Sequence, residues 1–238
     1  MRDYLIFRLY GPLASWGDIA VGEYRPSFAH PSKSAIVGLL AAALGIRRDN
    51  EERQKTLAGA VTFAVCVDAL GVPLRDYHTT QVPSARRGVT HYTRRSELLA
   101  DDLNTILSSR DYRCDAVYTV AITLDDGATF SVDALAAALR KPAFTLYLGR
   151  KSCPPALPLQ AQVVTAVTLK EAMQKVEFYN TDLMAITSTN CLSIYWEDDE
   201  TGGFECAQII TRRDAPLSRK RWQFGERREK YCTIQKED

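Results

Sequence analysis

The sequence predicts an α+β fold: a ferredoxin-like split βαβ plan (βαββαβ), interrupted by an inserted arm and followed by a β-rich C-terminal part. Three observations predict it. Two strand-like segments, 4–10 and 61–68, flank a helical stretch, and a second such pair, 116–124 and 144–148, flanks another. Between the pairs, residues 72–113 are polar, Arg-rich and weakly periodic. After them, residues 156–238 break into short alternating runs.

Taking the elements in order, residues 4–10 put Leu5, Phe7 and Leu9 on one face and Ile6, Arg8 and Tyr10 on the other, a strand that Gly11-Pro12 ends. A loop carrying Trp16-Gly17 follows. Ser32 or Ser34 caps a helix through Leu44, with Gly45 in the C′ position. That helix is apolar nearly all round, so it belongs in the interior. Asp49 with Glu52 is a capping-box pattern for a short exposed helix to Leu57. Residues 61–68 alternate again as the second strand. A structureless loop over 72–113 is too long for a compact domain. It is better read as an inserted hairpin arm with a helix near 96–107. Residues 116–124 form a strand, Ser131 caps a helix through Arg140, and Pro142 stops it. Residues 144–148 complete the plan as its fourth strand. Beyond it, 162–167, 185–195, 204–211 and 230–234 read as strands and 169–176 as a short helix. No low-complexity linker intervenes, so residues 1–238 are read as a single domain with a β-rich extension over about 156–238.

The 238 residues carry a formal net charge of only +1, which excludes a general polyanion binder. Charge is nevertheless patchy. Residues 75–95 hold Arg75, Arg86, Arg87, Arg94 and Arg95 against Asp76 alone, and residues 212–230 are also rich in Arg and Lys. Local basic patches on a neutral chain fit a defined stretch of nucleic acid; solvated surface charge is the plainer account. The six cysteines show neither close pairs nor metal-ligand spacing. Met1-Arg2-Asp3 leads straight into a strand, leaving no secretory leader, and the longest apolar run, 35–46, is too short for a bilayer. A cytoplasmic protein without membrane contact is expected.

Two segments look suited to phosphate. Arg25-Pro26-Ser27-Phe28-Ala29-His30-Pro31-Ser32-Lys33-Ser34 delivers Lys33, hydroxyls and free N–H groups to the start of the buried helix, where an anion is favoured. An ordinary N-cap is the alternative. Tyr147-Leu148-Gly149-Arg150-Lys151-Ser152 ends a strand in a glycine and two cations, a clamp or else a tight turn with exposed charge. Arg75-Asp76-Tyr77-His78-Thr79 opens the arm with a cation for phosphate and two rings for unpaired bases, or forms a hinge. Chemistry is harder to find. The chain has only His30, His78 and His91, at no telling spacing, and lacks paired carboxylates, a Walker A loop and nucleophile signatures.

Five segments in the same order carry a resemblance over nearly the whole chain. They are Gly11-Pro12 with Ser15-Trp16-Gly17, the block 25–46, Arg75 to Thr79, Asp111-Tyr112 with Cys114-Asp115, and Tyr147 to Pro154. Together they resemble the "Cas five" family of CRISPR-associated proteins, in its type I-E branch. The resemblance implies a ferredoxin-like (RRM-like) palm with a thumb at about 76–115. It also implies membership of Cascade, an antiviral ribonucleoprotein surveillance complex. Members hold the repeat-derived 5′ handle of the CRISPR RNA, meet the CasC backbone subunit through the thumb, and help seat the large CasA subunit. Handle contacts are thereby expected at Arg25, Lys33, Ser34, Arg75, Tyr77, His78, Tyr147, Arg150 and Lys151, with Arg86 and Arg87 added from the basic arm. In the related type I-C branch the equivalent subunit cleaves precursor RNA with a tyrosine, a lysine and a histidine. This arm has no adjacent Lys-His pair, so binding without cutting is expected, with no catalytic residue, metal or cofactor. A metal-independent endoribonuclease acting on repeat RNA is the alternative. Residues 81–95 depart most from the family pattern, and contact with target DNA near the PAM end stays open.

Overall fold

The computed structural model describes residues 1–179, 183, 185–187, 191–197 and 201–235. In chain order its strands and helices are β1 (Arg2–Tyr10), β2 (Leu13–Ala14), β3 (Trp16–Gly17), β4 (Tyr24–Arg25), β5 (Ser27–Phe28), α1 (Lys33–Ala43) and α2 (Glu51–Ala60). Then come β6 (Val61–Ala69), β7 (Val72–Pro83), α3 (Arg94–Leu98), β8 (Leu103–Cys114), β9 (Val117–Leu124) and α4 (Val132–Arg140). The C-terminal part holds β10 (Gln162–Ala166), α5 (Leu169–Gln174), β11 (Cys191–Glu197), β12 (Gln208–Ser218) and β13 (Gln223–Gln235).

The main sheet runs β10-β1-β9-β6-β11-β13-β12, with every neighbouring pair antiparallel. Strand alternation divides its side chains between two cores. Leu5, Phe7, Leu9, Phe63, Val65, Val120 and Ile122 face α1, α2 and α4, while Tyr4, Ile6, Ala64, Cys66 and Ala121 face α5 and the C-terminal strands. Both faces are covered, so β1 reads as nearly continuous apolar sequence. Each fully buried Leu or Phe contributes about 1.5–3 kcal/mol of transfer free energy. Helix α1 is capped as its sequence dictates. The Ser32 hydroxyl accepts from the Ala35 amide at 3.2 Å. At the other end Gly45, at φ +70°, lets its own amide reach Ala42 O and the Ile46 amide reach Ala41 O, the two bonds of a Schellman stop. The cap of α2 is Asn50 rather than Asp49, and the helix runs on to Ala60.

The fourth strand is not where the sequence placed it. Residues 144–148 are irregular, because their backbone groups find single partners elsewhere. The Phe144 amide bonds Ala42 O at the end of α1, and Leu148 O accepts from the Ser15 amide. The place beside β1 is taken by β10, paired from Arg2↔Ala166 to Ile6↔Gln162. The arm is a hairpin of β7 and β8 paired over twelve positions, from Val72↔Cys114 to Pro83↔Leu103. At about 3.4 Å per residue it reaches about 40 Å. Its helix, α3, is shorter than expected and ends at Leu98; residues 103–107 belong to the returning strand. In the C-terminal part β11 pairs with β6, so these strands continue the main sheet. Of the expected strand over 185–195, residues 188–190 lie outside the described residues. Strands β12 and β13 are both longer than the runs 204–211 and 230–234 predicted.

Candidate nucleic-acid interface

The base of the arm packs against a short parallel strand. Tyr24 and Arg25 of β4 pair with Ser109 and Arg110 of β8. An exposed clasp fastens the join. Arg75 Nε donates to Asp111 Oδ1 at 2.8 Å and Arg75 Nη2 donates to the Tyr24 hydroxyl at 3.0 Å, while that hydroxyl donates to Asp111 Oδ2 at 2.5 Å. The Arg75 hydrogen bonds hold the Asp111 carboxyl below its usual range, and the bond to Asp111 pushes the Tyr24 hydroxyl up.

Strand alternation sends the next residues to the other face. There Arg25, Arg110 and Arg150 line a groove of about 450 Å³ together with Gly22, Glu23, Thr80, Ile106, Leu107 and Ser108. Three guanidiniums therefore meet one carboxylate, Glu23, in an open channel. Arg150 is held from two sides: its Nη2 donates to Arg25 O at 3.2 Å, and its guanidinium lies 5.0 Å from the Tyr112 ring centroid. Its Nη1 has no hydrogen-bond partner among the described residues. Fixed, partly desolvated guanidiniums around a groove suit bidentate binding of phosphate.

The expected site residues are divided among several places. Arg25 and Arg150 line the groove together. Arg75 is occupied by the Asp111 clasp on the opposite face. His78 pairs with Ser108 across the hairpin and so flanks the groove, its Nδ1 2.7 Å from Asp76 Oδ2. Tyr77, one residue earlier, is exposed on the other face, so the two rings do not share a binding surface. Arg86 pairs with Asp102 near the arm's tip, and Arg87 is exposed there. Tyr147 lies beside Arg219 and is not among the groove's lining residues, and Lys151 is exposed. Gly149, at φ +84°, does permit a close approach, but to the chain itself: a side chain there would stand 1.8 Å from Ser15 O. Sequence reasoning misses Arg110, Ser108 and Tyr112. Arg110 sits inside a β8 run whose polar alternation reads as solvent-facing.

The start of α1 is closed off by the chain's own carboxylates. The Lys33 amide donates to Asp214 Oδ2 at 2.8 Å, and its ammonium sits 2.9 Å from Glu197 Oε1. Ser34 Oγ shares a hydrogen bond with Ser32 Oγ at 3.0 Å. Around them lies a buried network in which Arg227 bonds Asp214 and Glu229 at 2.6 Å each, and Glu229 approaches His30 at 3.3 Å. His30 stacks on Tyr195 at 3.9 Å between centroids. Burial raises the Glu229 carboxyl, but the His30 hydrogen bond and the charges of His30, Arg227 and Arg212 outweigh it and hold it at about 2. The anion that this helix terminus favours is therefore Asp214, a residue 181 positions away in sequence.

Among the described residues no helix is long and apolar enough to cross a membrane, and no three His, Cys, Asp or Glu side chains gather as a metal ligand set. The chain matches the family model "CRISPR-associated protein (Cas_Cas5)" over residues 4–229. It is 36% identical over 238 residues to the "CRISPR system Cascade subunit CasD" of Escherichia coli (strain K12), covering 95% of this chain and 94% of the relative. A solved chain described as "CRISPR RNA-guided surveillance complex" superposes with a TM-score of 0.67 at 27% identity, covering 98% of this chain and 90% of the other. Another, "Crystal structure of Cas protein", gives 0.63 at 26% identity over 98% and 95%. With four-fifths and more of its length matched in each comparison, this chain belongs to the Cas5 family of CRISPR-associated proteins.

Proposed function

We propose that the chain is a Cascade subunit that holds the 5′ handle of a CRISPR RNA in the groove at the base of its arm, without cutting it. The observation that carries this reading is the meeting of Arg25, Arg110 and Arg150, from three distant stretches, around one open groove. Phosphates seat on the three guanidiniums, and Ser108, Thr80 and His78 offer polar edges to the adjoining bases. The likeness to a Cascade subunit and to a chain of an RNA-guided surveillance complex supports RNA as the ligand. Strands β10-β1-β9-β6 are read as a ferredoxin-like palm and the β7–β8 hairpin as its thumb, working in the cytoplasm. Tyr92 and Leu99, exposed beyond the arm's two long strands, are where a backbone subunit of the CasC kind docks, and the large CasA subunit sits near the handle. Arg75 serves by fixing the arm to β4 and so setting the groove's width.

The test is an RNA titration of the double variant Arg25→Ala/Arg110→Ala. Both side chains are outside the core, so the fold persists. Each lost phosphate contact weakens binding on the order of tenfold, and two flatten the salt slope by about 1.4 for a single strand. Equal affinity and slope in parent and variant would refute the groove assignment. Repeat RNA incubated with the parent in chelator should be recovered whole; site-specific cleavage would favour an endoribonuclease instead.

A further inference from the structure

The second basic region of the sequence folds into a surface of its own, which shares no lining residue with the groove. Between β12 and β13 the chain turns through Arg219-Lys220-Arg221-Trp222 and lays this tip against α1 and the segment before α2. Arg48 Nε donates to Arg219 O at 2.9 Å, and the Arg48 guanidinium stacks 4.4 Å from the Trp222 ring centroid. Ser218, at the start of the turn, hydrogen-bonds Glu51. Arg219 takes the space that a side chain at Gly38 would need and lies 5.4 Å from the same indole. Its guanidinium is largely desolvated, its titratable neighbours are the Tyr147 hydroxyl and the cation Arg48, and among the described residues no carboxylate pairs with it. A cation withdrawn from water beside another cation lacks its anion.

The rest of the surface supplies a path for one. Arg47, Arg48, Lys55, Lys220 and Arg221 are exposed around the turn, against Asp49, Glu51 and Glu52. Trp222 stands at φ +59°, a left-handed conformation that costs a non-glycine residue, and in it the indole is 59% exposed. A flat aromatic stacked with a guanidinium and ringed by cations is the platform on which unpaired bases lie while phosphates meet the charges. We propose that the Arg219–Trp222 tip is a second nucleic-acid site, for a single strand, distinct from the groove. Its ligand chemistry is an unpaired base with flanking phosphodiesters. That chemistry can come from RNA or from a DNA strand displaced from its duplex, and neither source depends on the groove reading.

Trp222 is its own reporter. The chain has three tryptophans, of which Trp16 and Trp196 are 1% and 2% exposed. Acrylamide quenching of the full chain therefore reads Trp222 nearly alone, and Trp222→Phe confirms the assignment. Twelve-nucleotide single-stranded RNA, single-stranded DNA of the same sequence and the corresponding DNA duplex are added in turn. The proposal predicts that one or both single strands protect Trp222 severalfold, the stronger identifying the source. It also predicts that Lys220→Ala/Arg221→Ala needs about tenfold more strand for the same protection. Protection must persist in Arg25→Ala/Arg110→Ala, which separates this site from the groove. The proposal is overturned if bound single strands, followed by anisotropy, leave Trp222 fully quenchable. It is equally overturned if the duplex protects as well as the single strands, or if protection appears only when protein subunits assemble without nucleic acid.

Discussion

Replacing Glu229 by Gln tests the buried network that closes the start of α1. Three cations, Lys33, Arg212 and Arg227, face three anions, Glu197, Asp214 and Glu229, and the substitution leaves three against two. Glu229 is 1% exposed, and its carboxyl falls from 4.5 to about 2 in the folded chain. At about 1.4 kcal/mol per pKa unit, that shift sets an upper bound of about 3 kcal/mol at neutral pH, where burial keeps His30 neutral and leaves Arg227 and Arg212 as the cations facing Glu229. The figure agrees with the roughly 3–5 kcal/mol lost when one partner leaves a buried pair. For a chain of this size it lowers the Tm by about 6–12 °C. The pH dependence has a definite sign. A depressed carboxyl stabilises fully above its unfolded pKa and loses that contribution as pH falls from about 4.5 towards about 2. Burial raises Glu197 in the opposite sense, but comparing parent with variant cancels it. Thermal unfolding of both proteins from pH 7 downwards should show a wide gap that narrows below pH 4.5. A variant within about 2 °C of the parent at pH 7, or a gap that ignores acid, would refute the reasoning.

Three further outcomes follow from the same contacts. Lys33→Met removes an ammonium that is paired with Glu197, so the Tm should fall while the salt slope of RNA binding stays at the parent value; a flatter slope would return Lys33 to the interface. Gly149→Ala forces a side chain onto Ser15 O at a φ of +84°, which should destabilise by at least about 2 kcal/mol and weaken RNA binding through displaced Arg150, measured by denaturant titration and anisotropy. Asp111→Asn loosens the clasp of Arg75 and Tyr24, and amide exchange at Ser109 and Tyr24 should quicken while the core strands keep their protection.

The fold was legible wherever burial leaves a periodic trace. β1, β6 and β9 alternate between two apolar cores, and α1 carries both of its caps in its own sequence. The arm declared itself by lacking such a trace. What stayed hidden depended on partners far along the chain. Residues 144–148 have the composition of a strand, yet α1 and Ser15 claim their backbone, and only the tertiary arrangement decides for β10. Strands β12 and β13 bury Arg212, Asp214 and Glu229, so inward positions look polar and the period-two signal is inverted. The site suffered from the same effect. Lys33 at a helix start is an apt phosphate ligand until Asp214 and Glu197 arrive from more than 160 residues away. Arg25 and Arg150 were visible because a proline follows the one and a glycine precedes the other in short basic segments, whereas Arg110 gains meaning only from its register opposite Arg25.

The central claim is that a single RNA strand lies against Arg25, Arg110 and Arg150. Photo-crosslinking tests it most directly, with 4-thiouridine placed in turn at each handle position of a CRISPR RNA in the assembled complex. Crosslinked peptides should contain residues 22–25, 106–110 and 150. Crosslinks confined to the α1 start around Lys33, or absent from this chain at every position, would contradict it.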